Sequence, residues 1–143
     1  MKIPLPLVAV VLLLAGCSSA VATPSPTPTP TFSYGASAAS IASAVKSCTG
    51  VAEEPLASSA VGIASLASCS LGGKLVDFYS WKDADSQGEP DQMLSGLNLE
   101  IYYAAGNGWS AQAHLDGDIP GQQSIAEAVV KAIGGKVYHH EAK

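Results

Sequence analysis

Few side chains in this sequence can do chemistry, and their spacing restricts what they can do. His114 stands two residues before Asp116, with Asp118 beyond, and His139-His140-Glu141 lies near the end. Imidazole and carboxylate together can ligate zinc or copper. Neighbours on an extended segment point to opposite faces, so His139 and His140 share a metal only across a turn. The metal candidates are therefore His114, Asp116, His139 and His140, set against the plainer expectation of a polar tail and a solvent-facing strand histidine. Asp83, Asp85, Gln87 and Gly88 follow part of a calcium loop, but Leu94 stands where the bidentate glutamate belongs. A solvated acidic connector is the expectation there. His114, Asp116 and one of many serines can be drawn as a triad, yet no Gly-x-Ser-x-Gly elbow is present. Catalytic residues: none are assigned. No cofactor is expected, and the chain reads as a non-enzyme.

Cys48 and Cys69 are the two cysteines of the stretch from about residue 37 onward, an even pair. In an oxidising compartment such a pair reads as a disulfide, worth about 3 kcal/mol in the chain-entropy model. Free thiols are the rival reading, without a Cys-x-x-Cys or flanking histidine to favour it. Tyr79, Trp81 and Tyr102 supply the remaining candidate. If Val76 and Phe78 face the core, alternation leaves these aromatics on the open face of a sheet, an exposed strip suited to contact with a partner.

The elements that must hold these groups follow from periodicity. Ile41, Ala44, Val45 and Cys48 recur at helical spacing, predicting a first helix whose apolar face ends at Cys48. Val61, Ile63, Ala67, Cys69 and Leu71 share a strand face. Gly72-Gly73 turns the chain into a second strand over 75–81. A polar stretch over 82–96 has room for a short helix after Pro90. Leu97, Leu99, Ile101 and Tyr103 alternate with polar residues, Gly106-Asn107-Gly108 turns, and Trp109, Ala111, Ala113 and Leu115 alternate again. After Pro120 a last helix carries Ile125, Ala128, Val129, Ala132 and Ile133, closed by Gly134-Gly135. Val137-Tyr138 adds a short extended piece. The expected fold is α+β: a single antiparallel sheet of two hairpins, apolar inside and polar outside, with N- and C-terminal helices packed on one face.

The start of the chain is of another kind. Lys2 precedes an apolar run from Ile3 to Ala15, too short to span a bilayer and interrupted by Pro4 and Pro6. Leu13-Leu14-Ala15-Gly16-Cys17 resembles the lipobox of bacterial lipoproteins. That resemblance implies cleavage before Cys17, lipidation of its thiol, and a cell-membrane location facing the extracytoplasmic side. Two acyl chains would anchor firmly where one is marginal. The alternating Thr/Pro run that follows is biased to polyproline II and reaches about 28 Å at roughly 3.1 Å per residue. Its threonines are candidates for O-glycosylation, its prolines for an aromatic groove. The expected organisation is a signal peptide over 1–16, a lipidated cysteine and tether over 17–35, and a small domain over 36–143. The pattern is similar to small uncharacterised lipoproteins of high-GC Gram-positive bacteria: a cysteine after the first helix, another in the first hairpin, a Gly-x-Gly-Trp turn and a terminal Gly-Gly. No activity comes with the resemblance.

The chain of 143 residues carries a formal charge of −5 and no arginine. Without arginine or a lysine cluster to read phosphate, nucleic acid is not an expected partner. Membrane association then rests on the lipid rather than on charge. The expected function is a non-catalytic binding or interaction module of the cell envelope, meeting an envelope protein or a cell-wall ligand. The alternatives are a metal- or small-ligand-binding lipoprotein, an envelope hydrolase, and a prophage surface-exclusion protein.

Overall fold

A computed structural model describes residues 28–88 and 98–142. The leader, Cys17, most of the Thr/Pro run, and the connector with Pro90, Asp91 and Leu94 lie outside the described residues. Elements run in the order α1 (Ala38–Ala44), β1 (Thr49–Glu54), β2 (Ile63–Leu71), β3 (Lys74–Trp81), α2 (Ala84–Gln87), β4 (Ile101–Gly106), β5 (Trp109–Ala113), α3 (Ile119–Ile133) and β6 (Lys136–His140). The strands form one open antiparallel sheet in the order β1-β2-β3-β5-β4-β6. The architecture is mixed α+β, and the sheet is wider than two hairpins.

Local chemistry accounts for the element ends. Ser37 caps α1 by accepting from Ser40 N–H, and Asp118 caps α3 by accepting from Gly121 N–H. Gly72 and Gly73 both take positive φ, so the β2–β3 turn has two residues and Leu71 pairs with Lys74. That register puts Ala67 opposite Phe78 and Cys69 opposite Val76. With Ala111, Ala113, Ile41 and Val45, and Ile125, Val129 and Ile133 from α3, these form the main buried cluster.

The second hairpin departs from the expected pattern. Its turn is Asn107-Gly108, and Gly106 pairs with Trp109, Ala104 with Ala111 and Tyr103 with Gln112. A two-residue turn pairs odd positions with even ones, so Ile101 and Tyr103 cannot share a face with Trp109 and Ala111. Tyr102 and Ala104 join the main cluster instead. Ile101, Tyr103 and Ala105 form a second buried cluster with Leu99 and Tyr138. β4 is apolar on both faces, and the expected single apolar inner face is corrected here.

Three further boundaries differ from expectation. Helix α1 ends at Ala44, and Cys48 lies past its cap in a turn where its N–H donates to Val45 O at 2.8 Å. The Cys48–Cys69 disulfide is formed, with Cα atoms 5.7 Å apart. Val61 lies before β2 and is 89% exposed. β1, absent from the periodicity, adds an edge strand that is exposed at every position except Val51.

The chain meets the domain before residue 36. Phe32 packs against the main cluster, and Asn107 Nδ2 donates to Phe32 O at 3.4 Å. Gly35 N–H donates to Trp81 O at 2.7 Å. Gly108, at φ +78°, lies so close to Ser33 and Tyr34 that a Cβ there would stand 2.7 Å from Tyr34 N. Only glycine allows that approach.

Candidate interaction site

The three aromatics expected in one exposed strip are not together. Tyr79 and Trp81 lie on the sheet face that carries Asp77 and Leu75, whereas Tyr102 lies on the face packed by α3. Trp81 is 4% exposed, and its Nε1–H donates to Ser110 Oγ at 3.2 Å in the interior. Tyr102 stacks on His139 with ring centroids 4.1 Å apart, and its N–H donates to Oε1 of the buried Gln122 at 3.3 Å. Parity explains the split: the register of the second hairpin sends even positions of β4 to the face opposite Tyr79. Tyr79 alone of the three stands on the expected surface, and it is half-buried.

Around Tyr79 the face is polar and titratable. Tyr79 Oη accepts from Gln112 Nε2 at 3.4 Å, Asp77 Oδ2 lies 3.6 Å from His114 Nε2, and Ser68 Oγ donates to Glu54 Oε1 at 2.7 Å. Burial pushes the Asp77 carboxyl up from its ordinary 3.8; His114 opposes the rise and Glu54 adds to it. Burial also pushes the Tyr79 phenol up, with Asp77 adding and the Gln112 amide opposing. Leu75, 46% exposed, borders this group. The arrangement offers carboxylate oxygens beside apolar surface, which suits hydrogen-bond donors and cations on a partner.

The metal candidates are dispersed. His114 follows β5 and faces Asp77, while Asp116 is held by Lys74. His139 and His140 lie on β6, with β4 intervening between them and β5. His139 Nε2 lies 3.0 Å from Glu100 Oε1, and His140 is in register with Ile101. Among the described residues no cluster of three or more His, Cys, Asp or Glu side chains could hold a metal. Asp116 and Asp118 serve the loop: Asp116 Oδ1 accepts from Asp118 N–H at 3.0 Å, and Lys74 Nζ also reaches Asp118 Oδ2 at 3.0 Å. The Lys74 ammonium holds both carboxyls below their ordinary value and is itself raised by them.

The partial calcium loop has a structural use. Asp83 caps α2 by accepting from Ser86 N–H at 2.7 Å. Gln87 then reaches across to the β4–β5 turn. Its Nε2 donates to Gly106 O at 2.8 Å and Trp109 O at 3.2 Å, and its Oε1 accepts from Gly108 N–H at 3.0 Å. Beside this clamp is a recess of about 290 Å³ lined by Gln87, Gly106, Asn107, Gly135, Lys136 and Tyr138. Across the turn, a second recess of about 220 Å³ is lined by Thr29, Pro30, Phe32, Trp109 and Gly134. Gln87, expected only as a position of a calcium loop, has partners that are all remote in the chain. Gln122 was not among the expected site residues, although it sits three positions before Ile125 on the buried stripe of α3. No protein-family model, curated protein or solved structure matches this chain.

Proposed function

We propose that this chain is a lipid-anchored extracytoplasmic lipoprotein whose domain is a non-catalytic interaction module of the cell envelope. The observation that carries the reading is the Cys48–Cys69 disulfide. Such bonds persist in oxidising compartments, in agreement with a leader that ends at Leu-Ala-Gly-Cys17. In this reading Cys17 bears the acyl chains. The two hairpins, each extended by an edge strand, carry α1 and α3 on one face and leave the other to a partner. Leu75, Asp77, Tyr79 and His114 are the contact residues, in place of the strip Tyr79, Trp81 and Tyr102. The partner is an envelope protein or cell-wall ligand that brings donors or positive charge to Asp77.

The anchor is tested by feeding cells a labelled fatty acid and fractionating them. Wild-type chain should carry label and sediment with membranes. Cys17→Ser should lose both. Label persisting on the serine variant, or missing from the wild type, refutes the anchor.

A further inference from the structure

The last residues of the Thr/Pro run are seated on the domain. From Thr29 to Phe32 they wall one side of the recess of about 220 Å³, and Gly106, Asn107, Trp109, Ile133, Gly134 and Gly135 wall the other. Missing side chains shape this groove. Gly134 takes φ +82°, and a Cβ on it would stand 3.2 Å from Thr29 Cγ2. Gly108 makes room for the backbone of Tyr34 in the same way. Trp109 and Ile133 are buried and belong to the main cluster, against which Phe32 packs. Bare backbone along the sides, with an indole and an aliphatic side chain between, suits an extended peptide that inserts one aromatic ring.

The seat is light. Thr29, Pro30 and Thr31 are exposed, and Phe32 is half-buried. Among the described residues, the first hydrogen bond that this segment makes to the domain is the long one from Asn107 Nδ2 to Phe32 O. The next, Gly35 N–H to Trp81 O, lies beyond the groove. Behind the groove contacts is a turn, closed by Ala36 N–H donating to Ser33 O at 3.1 Å, with Gly35 at φ +77°. Few buried contacts, with a glycine turn behind them, make a segment that opens locally while the rest of the domain stays folded.

We propose that the groove between the β4–β5 turn and the end of α3 is a binding site for an extended Thr/Pro peptide ending in an aromatic residue, and that Thr29–Phe32 is its tethered ligand. The occupant is this chain's own run, held as a releasable strap. Phe32 sets the register along a repeat that otherwise reads alike at every second residue. A proline-rich segment gives up little conformational freedom on docking, so a light contact suffices. Because the ligand is covalently attached, its effective concentration is on the order of millimolar, and a free peptide enters only where the strap is weakened. The site needs neither the lipid anchor nor the open sheet face.

The test titrates a free peptide with the sequence of residues 27–33 into the full chain, isotope-labelled for NMR. Phe32→Ala removes the ring that seats the strap. Pro30→Gly, at an exposed position, loosens the strap without touching the core and serves if the first variant does not fold. Millimolar peptide should move the amide signals of Asn107, Gly108 and Gly134 and the indole signal of Trp109 in either variant. The wild-type chain, its groove filled, should need about tenfold more peptide. A peptide with alanine in place of its phenylalanine should move none of these signals. No shift at the groove in a folded variant overturns the site. Equal binding to the wild type and the variants overturns the strap as its occupant, and equal binding of the alanine peptide overturns the role of the ring.

Discussion

Replacing Gln87 tests whether one side chain joins the connector to the second hairpin. Its amide makes three hydrogen bonds to Gly106, Gly108 and Trp109, all partly buried. A net 0.5–1.5 kcal/mol for each such bond gives about 2–3 kcal/mol for Gln87→Ala. For a domain of this size that corresponds to a fall in Tm of roughly 10–20 °C. Gln87→Asn sharpens the test, because it keeps the amide and shortens its reach by one methylene. The asparagine variant should lose nearly as much as the alanine one. Urea unfolding followed by tryptophan fluorescence is suitable, since Trp109 takes part in the contact and Trp81 lies in the interior nearby. The midpoint should fall with an unchanged slope. A loss below about 0.5 kcal/mol in the alanine variant, or full stability in the asparagine variant, would refute the clamp.

Two other outcomes follow from the contacts. Lys74 links the β2–β3 turn to the start of α3, and it depresses Asp116 and Asp118 while its own value is raised. The carboxylate contribution is present above the ordinary 3.8 and lost as pH falls through the depressed values; the lysine contribution is present below 10.5 and lost as pH rises through the raised one. Lys74→Ala should flatten both limbs of the Tm–pH profile, and a profile that still matches the wild type counts against the cluster. Replacing Cys48 and Cys69 together by alanine opens a bridge with a sequence separation of 21. It should cost about 3 kcal/mol in chemical denaturation, and a variant as stable as the parent would show that the bridge adds nothing.

Much of the element order is legible from alternation and turn chemistry. Gly72-Gly73 ends one strand and begins the next, and Ala67, Cys69 and Leu71 share a buried face as their spacing requires. The turn at Asn107-Gly108 carried further information. Its length already forbids Ile101 and Trp109 from facing the same way, a constraint that counting alternating residues strand by strand overlooks. β1 left no periodic mark because an exposed edge strand has few apolar positions to display. Gln87 resembled a loop ligand because its real partners are 19 or more residues away.

The order of residues alone determined the apolar run before Leu-Ala-Gly-Cys17, the Thr/Pro run, the two paired-cysteine positions, and the strand and helix periods. These depend on neighbours in the chain, so local patterns suffice to read them. Tertiary structure decided which face each aromatic takes, that β4 is apolar on both sides, and that His114 and His139 stay apart. Those outcomes depend on strand register and sheet order, which are set by contacts between segments distant in the chain.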